Sequence, residues 1–291
     1  MFHGSIPALV TPFKNGAIDR DAFANLIERQ ISGGSAALVP CGTTGESATL
    51  SHSEHREVVE LCIQVAGGRV PVIAGAGSNS TREAIELVEH AKTVGADAAL
   101  AICPYYNKPD QAGLEAHFTA IDAAVSLPII LYNVPSRTAC DLLPETVGRL
   151  AKLPNIVGIK DASNDLGRVS MHAALTQGEQ FTQLSGEDPS SLGHRAMGGT
   201  GCISVSANVA PELCAQMHAA FDAGDLETAR RLDQRLIHIH KAMFLSPSPG
   251  PAKHVLAKMG LCSDDVRLPI VAPDTTTRGR IDDAMTEAGL H

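Results

Sequence analysis

Lys160 ends the apolar run Asn155-Ile156-Val157-Gly158-Ile159 and is followed at once by Asp161. A lysine at the end of a buried strand begins inside the protein. Burial there disfavours the ammonium form and supplies a neutral amine that attacks a carbonyl. The bland alternative is a structural lysine paired with Asp161 or snorkelling from the strand end. Tyr132 ends the preceding apolar run, Pro128-Ile129-Ile130-Leu131, so its phenol should stand near the Lys160 amine. Such a phenol relays protons to and from a carbinolamine, or else is a rim tyrosine bonded to backbone. Arg137 lies five residues on, either as a partner for a substrate carboxylate or as a solvated surface arginine.

Gly42-Thr43-Thr44-Gly45 offers another piece of chemistry. Glycines flanking two hydroxyls let backbone N–H groups converge on a small anion such as a carboxylate. Taken alone, the same four residues read as a Gly-rich turn with Thr capping. His52-x-x-His55 and His238-x-His240 lack a third ligand or an Asp/Glu–His pattern, so both are expected to be surface pairs and no metal site is expected.

These residues need a scaffold that brings strand ends together. Short apolar runs recur at 5–10, 36–41, 71–76, 98–103, 128–133, 156–160, 181–185 and 200–206. Most lack polar alternation, which suits parallel strands buried on both faces. Helical stretches lie between them. Ser51 with Glu54, and Ser80 with Glu83, read as capping boxes, and Gly67-Gly68 and Gly95 fall where helices should stop. Eight strands each followed by a helix imply an α/β fold, a (β/α)8 TIM barrel spanning 1–224. The eighth helix begins near Pro211 and ends before Gly224. The remainder, 225–291, shows only helical patterning and is expected to be a small C-terminal all-helical domain. Gly75-Ala76-Gly77-Ser78-Asn79-Ser80 lacks the third glycine of a dinucleotide fingerprint, which argues against a doubly wound sheet. In a barrel the chemistry sits at the C-terminal strand ends, where the lysine, tyrosine and threonines fall.

Composition narrows the partners. The 291 residues carry 23 Lys+Arg against 32 Asp+Glu, a formal charge of −9, and only 3% are aromatic. An acidic chain without tryptophan is a poor nucleic-acid binder. Its three tyrosines, Tyr105, Tyr106 and Tyr132, leave little aromatic surface for stacking bases. No apolar run approaches the roughly 20 residues that span a bilayer, and residues 1–13 lack the pattern of a secretory signal. Seven scattered cysteines with no CxxC read as reduced, buried thiols. The expectation is a cytoplasmic protein.

Gly-Thr-Thr-Gly-Glu at 42–46, Tyr132-Asn133-Val134-Pro135-Ser136-Arg137-Thr138, Gly158-Ile159-Lys160-Asp161 and Ser185-Gly186-Glu187 together resemble the pyruvate-dependent class I aldolases. Within them they resemble the dihydrodipicolinate synthase family of lysine biosynthesis. The likeness runs from Gly4 through the C-terminal helices. The Thr-Thr pair and Arg137 are its more specific marks; N-acetylneuraminate lyases usually have Ser-Thr there and lack that arginine. A lyase acting on N-acetylneuraminate or a 2-keto-3-deoxy sugar acid through the same lysine and tyrosine is the alternative, against which Arg137 argues. By this resemblance Lys160 forms a covalent imine with pyruvate, with no metal or organic cofactor, and the resulting enamine attacks L-aspartate-4-semialdehyde. Tyr132, Thr43 and Tyr106 are the implied proton relay, with Tyr106 donated across a dimer interface. Thr43 and Thr44 would hold the pyruvate carboxylate, Gly186 and Ile203 line the pocket, and Arg137 bind the semialdehyde carboxylate. Members inhibited by L-lysine bind it through positions matching Ala48, His52, His55, Asn79, Glu83 and Tyr105. A homotetramer built as a dimer of dimers is likewise implied. Ala139-Cys140, and Ser246-Pro247-Ser248-Pro249-Gly250-Pro251, depart from the family's usual residues.

Overall fold

The computed structural model describes residues 2–290. In chain order, β1 (Gly4–Pro7) is followed by the hairpin β2 (Phe13–Lys14) and β3 (Ala17–Ile18), then α1 (Arg20–Ser32) and α2 (His52–Ala66). A βα alternation comes next: β4 (Ile73–Gly75), α3 (Thr81–Thr93), β5 (Ala98–Ile102), α4 (Gln111–Ala124) and β6 (Ile129–Asn133). The short α5 (Pro135–Thr138) and α6 (Pro144–Leu150) precede β7 (Ile156–Asp161), α7 (Gly167–Leu175), β8 (Thr182–Ser185), α8 (Ser191–Ala196) and β9 (Gly201–Ser204). Four helices close the chain: α9 (Pro211–Asp222), α10 (Leu226–Ala242), α11 (Gly250–Lys258) and α12 (Thr275–Ala288). The chain forms two compact units, one holding residues 2–3 with Val72–Ile203 and the other 4–71 with 204–290.

In the first unit β4 to β9 hydrogen-bond in sequence order, and every pair between neighbours is parallel. Each crossover runs through helix, the arrangement parallel pairing demands. Residues of both strand faces are buried: Ala98 to Leu100 in β5, Ile129 to Leu131 in β6, Ile159 and Lys160 in β7. This explains why the runs read as continuous apolar stretches rather than alternations. Leu114, Phe118 and Ile121 of α4 are wholly buried, at the helical spacing of an apolar stripe. Gly158 has a specific task in β7, since a Cβ on it would stand 2.5 Å from Thr182 O of β8.

In the second unit Ala8 makes a parallel bridge to Val39, with Leu9 N donating to Val39 O at 2.9 Å and Val39 N to Pro7 O at 3.0 Å. The expected strands at 5–10 and 36–41 are thus shorter than their apolar runs. Pro7 and Pro40 have no N–H, so neither donates to a ladder. Ser51 and Glu54 form the expected capping box on α2, and Gly67 ends that helix in the left-handed conformation. The other expected capping box does not form: Ser80 makes no side-chain cap bond to α3. The Glu83 carboxylate instead takes the Ser78 hydroxyl, which also accepts from Ser80 N. Residues 225–290 hold the three helices α10, α11 and α12 and no strand among the described residues. No described helix is long and apolar enough to cross a membrane. Six of the seven cysteines are buried and none is in a disulfide.

Candidate active site

Tyr132 and Lys160 occupy paired positions on the neighbouring strands β6 and β7, one step before the pair Asn133 and Asp161. Register therefore fixes their proximity, because directly paired residues point to the same face. Lys160 Nζ lies 4.2 Å from the centroid of the Tyr132 ring. Each residue is only 6% exposed. An amine and a phenol so placed can form a carbinolamine and move its protons. The strand ladder holds both: Cys103 N donates to Tyr132 O at 2.9 Å, and Ala162 N to Asn133 O at 2.9 Å.

Glu187, after β8, joins this neighbourhood. Burial, and then the Asp188 carboxylate, push its carboxyl up, while the charges of Lys160 and Arg137 pull it back. Its carboxyl thus feels both cations at once. Arg137 is exposed on α5, and the hydrogen bond described for it is made by its backbone N–H, which donates to Val134 O at 2.9 Å. Gly186 N donates to Asp161 O at 2.8 Å. A Cβ at Gly186 would stand 2.6 Å from Ala162 Cβ, so the close approach admits only glycine. Ile203 is buried at the end of β9.

Tyr105 and Tyr106 follow β5. Tyr106 is 93% exposed and sits in the left-handed region at φ +71°. Asn79 Nδ2 donates to Tyr105 O at 3.2 Å, and Asn107 Nδ2 to Asn79 O at 2.8 Å. The loops after β4 and β5 are thereby tied, bringing Asn79, Tyr105 and the Glu83–Ser78 pair into one region of the first unit.

The remaining expected residues belong to the second unit. Gly45 N donates to Gly42 O at 3.0 Å and Glu46 N to Thr43 O at 3.1 Å, which folds the threonine loop into tight turns. Thr44 is buried and Thr43 half-buried. Glu46 anchors the loop: its carboxylate takes Lys253 Nζ at 2.5 Å and Arg267 N at 2.9 Å. Lys253 and Glu46 side chains are 0% and 1% exposed, and Lys253 Nζ also lies 4.2 Å from the Phe13 ring centroid. Burial pushes the Lys253 ammonium down, opposed by Glu46. Ala48 and His52 are exposed. His55 is not the surface residue expected, being 7% exposed on the inner face of α2. His240 is also buried, against Ser206 Oγ at 2.8 Å, whereas His238 is exposed and meets Glu287 at 2.8 Å. On α10 positions two apart do not face each other, which separates His238 from His240; on α2 His52 is exposed in the first turn while His55, one turn on, is buried.

Lys253 and Arg267 had no signal in the sequence, and Asn208 only its place after the last strand run. Each acts through a contact hundreds of residues away or across a turn, as Asn208 does in accepting from Val10 N at 3.0 Å and donating to Ala8 O at 2.8 Å.

A model of the dihydrodipicolinate synthetase family matches residues 1–288. The chain is 69% identical to the 4-hydroxy-tetrahydrodipicolinate synthase of Hyphomonas neptunium and 59% identical to that of Phenylobacterium zucineum. It is covered in full by both matches, which take in 100% and 98% of those proteins. Among solved structures it resembles the chloride-inhibited dihydrodipicolinate synthase of Acinetobacter baumannii complexed with pyruvate, with TM-score 0.97 and 43% identity over 100% of both chains. It also resembles the Cyanidioschyzon merolae enzyme with lysine bound, with TM-score 0.96 and 38% identity over 100% of this chain and 99% of that one. Shared along its whole length with these enzymes, the chain belongs to the dihydrodipicolinate synthetase family.

Proposed function

We propose that the protein condenses pyruvate with L-aspartate-4-semialdehyde, giving 4-hydroxy-2,3,4,5-tetrahydrodipicolinate and water, the committed step of the diaminopimelate route to L-lysine. The observation that carries this reading is the buried Lys160 amine 4.2 Å above the Tyr132 ring at adjacent strand ends. Lys160 adds to the pyruvate ketone, and loss of water gives the imine. Its protonated nitrogen receives the electrons released when a methyl proton leaves, so the lysine itself supplies the electron sink. This needs no metal or organic cofactor. The enamine carbon then bonds to the aldehyde carbon of the semialdehyde. The substrate's own amine displaces Lys160, closing the ring and freeing the enzyme.

Tyr132, Thr43 and Tyr106 carry the protons. Thr43 and Thr44 hold the pyruvate carboxylate, Gly186 and Ile203 line the pocket, and Arg137 takes the semialdehyde carboxylate. The exposed Arg137 guanidinium, sharing the field of Glu187 with Lys160, supports that last role. Tyr106, 93% exposed, is accessible for donation to a neighbouring subunit in a homotetramer of two dimers. L-lysine is an inhibitor bound through Ala48, His52, His55, Asn79, Glu83 and Tyr105. The same reading carries a closed (β/α)8 barrel over 1–224, a helical domain over 225–291, and a cytoplasmic location.

Borohydride reduction in the presence of pyruvate is the direct test. Wild-type protein should gain the mass of one reduced pyruvate at Lys160, and Lys160→Ala should gain none. Absence of label on the wild type, or turnover by Lys160→Ala, would refute the assignment.

A further inference from the structure

Asn133 closes β6 directly after Tyr132 and pairs in register with Asp161, the residue after Lys160. It is wholly buried. Its Nδ2 donates to Asp141 Oδ1 at 2.8 Å, and its Oδ1 accepts from Leu142 N at 3.0 Å. These two bonds close residues 133–142 into a ring, and the ring contains the short helix that bears Arg137. Arg168 grips Asp141 through both terminal nitrogens, one of them at 2.8 Å, and stands 3.9 Å from Asp161 Oδ2. At the far side of the ring the Cys140 thiol donates to Pro104 O at 3.0 Å, and Gln111 Nε2 to Asp141 O at 2.7 Å.

Arg137 is placed by this backbone ring, not by bonds from its own guanidinium. Only an amide serves the junction, because one side chain must donate to a carboxylate and accept from a backbone N–H at the same time. In a buried position, losing either bond leaves a costly unpaired polar group. Lys160 and Tyr132 do not depend on that amide, for the strand ladder holds them through main-chain bonds.

We infer that Asn133 is a positioning residue for the second substrate: its amide locks the 133–142 ring so that Arg137 presents its guanidinium to the semialdehyde carboxylate. Imine formation with pyruvate proceeds without it. The inference rests on the roles of Lys160 and Arg137 given under Proposed function.

Steady-state kinetics and borohydride trapping of Asn133→Ala test it. The KM for L-aspartate-4-semialdehyde should rise roughly ten-fold or more, while pyruvate labelling and the pyruvate KM stay near wild type. Asn133→Asp adds a pH readout that a merely structural role would not move. Its carboxyl accepts from Leu142 N but must be protonated to donate to Asp141. Its KM defect relative to wild type should therefore shrink as pH falls from about 8 to about 6, whereas that of Asn133→Ala should not. Asp141→Ala cuts the same bond from the other side and should give the same selective rise, deciding the matter if Asn133→Ala is insoluble. An unchanged semialdehyde KM, or equal damage to both substrates, overturns the inference. Wild type that takes no pyruvate label refutes the underlying reading instead. If wild type is labelled and Arg137→Ala raises the semialdehyde KM while Asn133→Ala does not, only the role of Asn133 falls.

Discussion

Removing the Tyr132 hydroxyl leaves the ring that lies beneath Lys160 Nζ and deletes only its proton-carrying atom. Tyr132→Phe should therefore still be labelled by pyruvate and borohydride, but turn over about 10²–10⁴-fold more slowly, the usual worth of a positioned acid–base group. Equal turnover by the variant and wild type would take the phenol out of the relay. Tyr132 and Lys160 are legible as a pair in the sequence, because each ends an apolar run and consecutive parallel strands of this class adjoin. Glu187 was visible within Ser185-Gly186-Glu187 but without a task. That its carboxyl lies in the field of Lys160 and Arg137 depends on where β8 sits beside β7, which no local spacing states.

At the scale of elements, the threonine loop and β7 are shaped by contacts that one substitution can break. Lys253→Met removes the ammonium bonded to the buried Glu46 carboxylate and leaves it only the charge of Arg267. Removing one partner of a buried pair costs about 3–5 kcal/mol, so urea unfolding should show a loss of that order. Lys253→Met combined with Glu46→Leu should recover part of it; no recovery would mean that the pair does not act as a unit. Gly158→Ala forces a methyl against the Thr182 carbonyl of β8, and overpacking of this kind costs about 1–3 kcal/mol. Apolar runs and Gly or Ser punctuation located most helices and strands, because period and capping are local properties. They overstated β1 and the run at 36–41, where Pro7 and Pro40 supply no N–H and the pairing past β1 thins to the bridge of Ala8 with Val39. They also assigned Glu83 to a capping box, whereas Ser78 competes successfully for its carboxylate.

Across the molecule, acid stability should fall in two windows. Burial pushes His117 and His194 down to about 4. Unfolded, each takes its proton near 6.5, so the unfolded state binds more protons between those values. Stability from neutral burial is complete above about 6.5 and is lost as pH falls towards about 4. The second window belongs to Glu54, which Arg267 chiefly holds down to about 2. That contribution is present above about 4.5 and is lost as pH falls through about 2. Urea midpoints measured against pH should decline through the first window, and His194→Gln should flatten that decline; a midpoint that rises on acidification there would contradict the burial argument. Subunit exchange belongs to this scale too. Mixing Tyr106→Phe with Lys160→Ala protein should restore some activity if the tyrosine completes a neighbour's site. Mixed subunits that exchange yet stay inactive would place Tyr106 within its own protomer.

The sequence by itself determined the family, the parallel α/β character, the lysine and tyrosine at paired strand ends, and the helical nature of 225–290. All of these are carried by residue type, period and spacing along the chain. The tertiary structure alone decided what holds those residues still: Asn133 against Asp141 and Leu142, Lys253 against Glu46, and Arg267 against Glu54. Hydrogen bonds and ion pairs form between groups that approach within a few ångströms, and folding brings distant residues that close. Chain separation carries no trace of such a meeting, and Glu46 with Lys253 are 207 residues apart.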